Sequence, residues 1–389
     1  MPFTGKATYD AGATLPELAE DVSDIVSIVS PYETPLLDHL GDPRAPALST
    51  VHEWIEDALL PNTDLINQTS FTPSATAATS ITVDNGAYFQ VGDLVRPDES
   101  SEVMLVTAIA TNTLTVVRAY GGTAAHALAN NMKLTILGNA ALEGAAAPAA
   151  RFTTRARRSN YTQIFTATVE VSGSMQAARA AGVADEADYQ KAERMRELLR
   201  DLENTVLNGV APSATQQGSS TVRRSMNGII NSIATNIFTP GTGGFPLGGG
   251  AGEDELTETL INAAMRRIWD NASGPVDTIV VGGAQKRRIN EFLSAQRGYA
   301  PSDTTLRSLV SVYESDFGVC RIITSRWMPA GVALFLDSSR IDVLPLAGRS
   351  FQARPLATTG DAISLQILGE YTLEFRNEAA HGLIRGLAA

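Results

Sequence analysis

A single cysteine, four histidines and four lysines in 389 residues remove several kinds of chemistry at the outset. With Cys320 alone, no intrachain disulfide can form and no cysteine-rich metal site exists, so a reducing compartment is expected. Cys320 lies in the apolar alternation Val319-Cys-Arg-Ile322-Ile323 and reads as a small buried strand residue, not a nucleophile. His39, His52, His126 and His381 stand far apart, without H-x-x-x-H or H-E-x-x-H spacing, so neither a metal nor any other cofactor is expected. No run reaches 18 apolar residues, and no membrane-spanning helix is expected. Met1-Pro-Phe-Thr-Gly-Lys6 lacks the apolar core of a signal peptide.

Catalytic signatures are equally scarce, and no enzyme is expected. Val171-Ser-Gly-Ser-Met175 lacks the first glycine of a G-x-S-x-G elbow. The glycine-rich stretch 241–252 precedes a helix read over 253–270, yet it has no Gly-Lys-Ser/Thr ending and no strand leading into it. It reads as a flexible exposed loop. The strand at 276–281, its Gly282-Gly283 turn and the helix at 284–295 lack the G-x-G-x-x-G spacing of a dinucleotide site. Glu56 and Asp57 would point to opposite faces of a strand, and Glu253-Asp254-Glu255 reads as charge at a helix start.

What is present is a globular composition, 44% hydrophobic and 19% charged, long enough for two or three domains. The formal net charge of -12 argues against nucleic acid as the principal partner, since phosphate binding needs a concentrated positive field. Only Lys6, Lys133, Lys191 and Lys286 are lysine, so arginine carries the positive charge. That suits bidentate pairing with carboxylates at interfaces; a GC-rich genome would give the same bias.

Along the chain, residues 1–46 read as an extended arm with one short helix at 15–26, and prolines 31, 35, 43 and 46 preclude a longer one. A strand at 49–59 ends at Pro61 and is followed by a polar connector over 62–80. Short strands at 81–83, 89–95, 102–106, 114–117 and 132–137, punctuated by turns such as Asn85-Gly86 and Gly121-Gly122, predict a small barrel or sandwich over 81–137. A second connector at 138–150 is almost all Ala, Gly and Pro. Further strands at 319–324, 332–336, 341–344, 363–368 and 371–375 place the chain in the mixed α+β class.

The most informative segment is the basic run Arg151-Phe-Thr-Thr-Arg155-Ala-Arg157-Arg158 together with the helix C-terminal to it. As a strand the basic run would put Arg151, Arg155 and Arg157 on one face and Arg158 on the other. Its expected partner is the acidic strand carrying Glu53, Glu56 and Asp57, because both border the β block whose ends must meet. Pairing would neutralise part of each ladder and leave the rest for another subunit. A long helix is read over 185–208, with Asp185 as N-cap, Glu186 and Asp188 in the first turn and Gly209 as the C′ stop. Tyr189, Ala192, Met195, Leu199, Leu202 and Val206 form its apolar face, and the charged residues, Glu203 among them, fill the rest.

Taken together, His52-Glu-Trp54-Ile-Glu-Asp57-Ala-Leu59, Glu143-Gly144, Arg158-Ser-Asn160-Tyr-Thr-Gln163-Ile164 leading to Val171-Ser-Gly173-Ser, Met226-Asn-Gly228-Ile, Asp316-Phe-Gly318, and Glu370-Tyr-Thr-Leu373-Glu with His381-Gly resemble the major capsid proteins of tailed bacteriophages. Within these, the resemblance is to the branch typified by the phage S-U-ten capsid protein, with the fold named after phage Hong Kong 97.

The resemblance implies an α+β, Hong Kong 97-like capsid fold with a small all-β insertion in its extended loop. An N-terminal arm would occupy 1–46, the extended loop 47–80 and 138–165, and the inserted β-barrel or sandwich 81–137. A peripheral domain would span 166–273 with its spine helix at 185–208, an axial domain 274–350, and 351–389 would return to the peripheral domain. Glu53, Glu56, Asp57, Arg155, Arg157 and Arg158 become the expected inter-subunit contacts. The implied partners are further copies in hexamers and pentamers of an icosahedral shell, a portal, a separate scaffolding protein, packaged double-stranded DNA without sequence specificity, and a decoration protein on the outer surface. The implied location is the virion capsid, assembled in the bacterial cytoplasm. Lysine-to-asparagine cross-linking, known in some members, is not expected, because Lys133 is the only lysine near the extended loop and lies inside the insertion. Two other readings stay open: a nanocompartment shell of the same fold, and a nucleic-acid- or carbohydrate-binding module.

Overall fold

The computed structural model describes residues 34–388 apart from 44, 99, 149, 178–184, 273, 297–311 and 358–359. The short helix expected at 15–26, with most of the arm, lies outside the described residues. The described elements begin with helix α1 (Pro35–Leu40), β1 (Val51–Glu56), β2 (Thr63–Leu65), β3 (Ser80–Thr82), β4 (Asp93–Pro97), β5 (Met104–Ala110), β6 (Thr113–Val117) and β7 (Lys133–Asn139). Next come β8 (Ala156–Tyr161), β9 (Gln163–Ser172), the short α2 (Gly173–Ala177) and the long α3 (Glu186–Asn208). These lead through α4 (Ile229–Ser232) and β10 (Ile237–Phe238) to α5 (Glu258–Ala272), β11 (Thr278–Val281) and α6 (Gly283–Gln296). The last strands are β12 (Val312–Ser315), β13 (Gly318–Thr324), β14 (Val332–Leu336), β15 (Ile341–Pro345), β16 (Gln352–Pro355), β17 (Ala362–Phe375) and β18 (Gly382–Arg385). Two compact units result, residues 55–156 forming one and the residues before and after them the other.

The larger unit is built on two sheets. One has the order β10-β18-β14-β11-β13-β12. Its central strands read Thr-Ile-Val-Val and Val-Ala-Leu-Phe-Leu, near-continuous apolar runs that mark strands covered on both faces. Helix α5 packs here through Leu260, Ile261, Ala264, Met265 and Ile268, a stripe at helical spacing. Cys320 belongs to the same core, its Sγ donating to the Val276 carbonyl at 3.1 Å, and burial followed by the charge of Asp277 pushes its thiol up to about 12. That is the inert buried cysteine expected.

In the second sheet β9 and β17 pair antiparallel over ten residues, from Ser172↔Ala362 to Gln163↔Tyr371, and β15 and β16 pair with β17. Helix α3 lays Leu198, Leu202, Val206 and Leu207 into a core shared with Phe165, Val169, Val171, Ile367 and Leu373. Each such side chain contributes about 1.5–3 kcal/mol of burial before entropy is counted. Asp185 caps α3 by accepting the N–H groups of Ala187 at 2.8 Å and Asp188 at 3.3 Å.

Several expectations are corrected. The buried stripe of α3 runs through Leu198 rather than Leu199, and Glu203 is fully buried instead of facing water. Gly209 has φ -57 and so is not a left-handed stop. It is small because a Cβ there would sit 2.5 Å from the Thr205 carbonyl oxygen and 2.7 Å from that of Met226. Pro35 does not preclude a helix: it begins α1, where a missing N–H costs nothing. Helix α5 starts at Glu258, not 253, because Gly249 and Glu255 form a β-bridge and Glu255 pairs with Arg288 at 2.6 Å.

In the smaller unit the order β2-β7-β4-β5-β6-β3 closes on itself through an antiparallel bridge between Ile66 and Val83. The result is a six-stranded barrel. Residues 62–80 are therefore not only a connector, since β2 pairs with β7 and Ile66 is fully buried inside. Side chains alternating inward along the strands fill the interior with Ile81, Val83, Val95, Met104, Val106, Leu114, Val116 and Leu134. Beside them the buried Glu102 takes Arg118 Nε at 2.7 Å and Nη2 at 2.8 Å, and accepts the N–H groups of Ala119 and His126. Burial alone would raise Glu102; Arg118 and the two N–H groups outweigh it and hold the carboxyl below its ordinary value.

Candidate functional site

β1 and β8 form a two-stranded sheet, which brings the acidic and basic ladders together. Arg157 Nη1 lies 3.3 Å from Glu53 Oε2, and Arg155 Nε lies 3.7 Å from Asp57 Oδ2, which also accepts the Thr153 hydroxyl at 3.1 Å. All four charged side chains are well exposed. Pairs of this kind contribute about 0–1 kcal/mol, so they register the strands more than they stabilise the fold. Glu56 is half-buried in β1, and Arg158 faces the other way, toward Glu378; burial raises that carboxyl, but hydrogen bonds from Thr235 and Ala234, with a smaller effect from the Arg158 charge, hold it below the ordinary carboxylate range. Strand β8 begins only at Ala156, so Arg151 and Arg155 precede it. Arg151 donates to the Tyr88 carbonyl at 3.0 Å and does not join the ladder. Beside it, a groove of about 710 Å³ is lined by Leu60, Arg151, Phe152, Thr153, Thr154 and Arg155, with Phe152 85% and nearby Leu59 90% exposed.

On the larger unit this sheet is rooted in polar contacts that the sequence pattern did not assign. His52 Nε2 meets Glu374 Oε2 at 2.7 Å. Asn160, nearly buried, donates to the carbonyls of Asn227 at 3.0 Å and Leu373 at 2.8 Å and accepts the Asn227 N–H at 2.9 Å. Gln163 Oε1 accepts the Met226 N–H at 3.2 Å. Glu370, 3% exposed, receives the Thr162 hydroxyl at 2.6 Å and Arg224 Nη2 at 2.5 Å on one oxygen, and Arg349 Nε lies 2.7 Å from the other. The separated sequence motifs around Asn160, Asn227 and Glu370 are thus one junction in space. Their spacing signalled a pattern, but Arg224 and Arg349 lie outside the quoted motifs and gave no signal.

Glu203 is the other residue missed. Its carboxylate accepts the N–H groups of Leu36 and Leu37, and burial raises its pKa to about 7. His381 is also buried, its Nδ1 accepting the Asp337 N–H at 3.1 Å, and burial lowers its pKa to about 4. Among the described residues no cluster of three His, Cys, Asp or Glu side chains is placed to hold a metal, and no helix is long and apolar enough to cross a membrane.

Comparison with known proteins covers almost the whole chain. A family model described as SU10 major capsid protein matches residues 3–388. No curated protein matches. Among solved structures, a chain from the capsid of an empty GTA particle aligns with TM-score 0.52 at 10% identity, covering 99% of this chain and 100% of its own length. A chain from Mycobacterium phage Bobi aligns with TM-score 0.51 at 13% identity, covering 97% and 98%. At such identities the likeness is one of fold.

Proposed function

The chain belongs to the SU10 major capsid protein family, and from that premise we propose how it builds a shell. It is a major capsid protein of a tailed bacteriophage with the Hong Kong 97-like fold, whose copies associate into the virion's icosahedral capsid. The family's role is structural. The match over residues 3–388 carries this conclusion.

In our reading, residues 1–46 are the N-terminal arm and the chain around β1 and β8 is the extended loop, reaching over a neighbouring subunit. The barrel is its insertion at 81–137, with β2 and Ile66 extending it toward the loop. The sheet of β9 and β17 with α3 is the peripheral core, and 274–350 is the axial domain around the capsomer centre. Arg155, Arg157 and Arg158 with Glu53, Glu56 and Asp57 then serve as a clamp between subunits. Two observations support that role. The ion pairs at Arg155 and Arg157 are too exposed to stabilise one subunit much, and the apolar Leu59 and Phe152 beside them are uncovered in a single chain. Burial against a neighbour would strengthen the first and shield the second.

We propose the remaining partners from membership of the family alone: a portal, a separate scaffolding protein, double-stranded DNA held without sequence specificity, and a decoration protein on the barrel. Assembly takes place in the host cytoplasm, and the shell is held by non-covalent contacts. Electron microscopy of the purified protein tests the reading: closed shells are expected, and soluble monomers with salt-sensitive DNA binding would contradict it.

A further inference from the structure

Glu203 stands apart from the other charged residues of α3. Its side chain is fully buried, Oε1 accepting the Leu36 N–H at 3.1 Å and Oε2 the Leu37 N–H at 2.9 Å. These are first-turn N–H groups of α1, which a helix ordinarily satisfies with the side chain of its own N-cap. Thr34 holds that position but makes no capping bond. The cap of α1 therefore comes from a residue 167 positions further along the chain. Leu36, also fully buried, shares its core with Leu202 and Val206 of α3, so cap and apolar contact fix the same turn.

We propose that Glu203 is the positioning residue of α1: by capping it from α3, Glu203 fixes where α1 sits on the larger unit, and its proton occupancy sets how firmly α1 is held. The purpose of the anchor rests on the capsid reading; the anchor itself belongs to the single chain.

The surroundings determine the sign. Burial is the largest influence and raises the carboxyl from 4.5 to about 7, opposed by the Leu37 and Leu36 N–H groups, while the charge of Asp38 on α1 adds to the rise and the Ser325 hydroxyl lowers it. His39 on the same helix turns to Thr278 and Arg321, and burial and then Arg321 lower its pKa, so its own titration opposes that of Glu203 and weakens docking as pH falls through the histidine range. On α3 itself, Arg200 faces Asp201 at 3.6 Å. If release of α1 opens Glu203 to water, the burial that raises it is relieved and its pKa falls back toward the ordinary 4.5. Docking of α1 thus takes up a proton between about pH 4.5 and 7; it is firmest below that window and weakens as pH rises through it. The change across the window is on the order of 100-fold in the docking equilibrium.

Hydrogen exchange at the Leu36 and Leu37 amides of the full chain, corrected for intrinsic exchange, measures this at pH 5, 6, 7 and 8. Protection should fall at least ~10-fold from the lowest to the highest pH in the wild type. In Glu203→Gln that fall with rising pH should disappear, any slope that remains running the opposite way through His39, with the circular dichroism of the folded chain unchanged. Wild-type protection that does not vary with pH, or an equal slope in Glu203→Gln, overturns the proposal. Should Glu203→Gln fail to fold, the wild-type profile still decides. Electron microscopy of the same samples separates the two claims: missing shells would count against the capsid reading and leave the exchange result standing.

Discussion

Replacing Glu370 with alanine should destabilise the larger unit by about 3–5 kcal/mol, the cost of leaving one partner of a buried ion pair alone. The size follows from what the carboxylate holds. It is 3% exposed and joins Thr162, Arg224 and Arg349, with Arg224 also donating to the Thr162 carbonyl at 2.6 Å. The Arg224 side chain is 18% exposed and cannot be rehydrated without opening the junction; that of Arg349, at 37%, partly can, so most of the loss arises at Arg224 and Thr162. Glu370→Gln retains an acceptor for those two groups but sets an amide toward Arg349, and should cost about 1–3 kcal/mol. Denaturant titration of both variants measures the differences as shifts in midpoint at constant slope. A loss below ~1 kcal/mol for Glu370→Ala would show that this junction does not tie the motif segments together.

Four further outcomes are expected. Arg118→Ala should lower barrel stability by about 3–5 kcal/mol, because it leaves Glu102 buried and unpaired; exchange measurements should find the loss confined to residues 55–156. Reversing charge at Arg157 and Arg158 together should block shell assembly while shifting monomer stability by no more than about 1 kcal/mol, read by electron microscopy and thermal melting. Gly209→Ala should cost about 1–3 kcal/mol in a denaturant titration, because the new Cβ meets two backbone oxygens that cannot retreat. Acid should act oppositely on two buried groups. His381, folded near 4 against 6.5 unfolded, loses its contribution as pH falls through that window, whereas Glu203 gains stability as pH falls from about 7 to 4.5. Glu203→Gln should therefore lose stability on acidification from pH 7 to 5 relative to wild type, a difference that paired melting curves at each pH detect.

Local pattern made much of this fold legible. Helix α3 could be read because Asp185, the first-turn acids and a 3.6-residue apolar period all act within one segment. The barrel strands could be read because alternation and turn residues are local too, and the opposed ladders around Glu53 and Arg157 came from the need to close the ends of the inserted block. What escaped depends on contacts between distant segments. Glu203 looks like any polar residue of a helix surface until α1 is laid across it; the one local sign was that Val206 and Leu207, its neighbours at three and four residues, are both apolar. Pro35 reads as a breaker unless the helix starts there, and β2 has only three residues, with a role that appears once Ile66 closes the barrel. Arg224 and Arg349 converge on Glu370 from 146 and 21 residues away, distances at which no periodicity survives.

If the sheet of β1 and β8 clamps one subunit to the next, a reconstruction of the assembled shell must find it lying on a neighbouring copy. Arg155, Arg157 or Arg158 should then stand within about 4 Å of that copy's carboxylates, with Phe152 covered. A shell in which residues 151–158 face solvent or touch only their own chain would contradict the clamp.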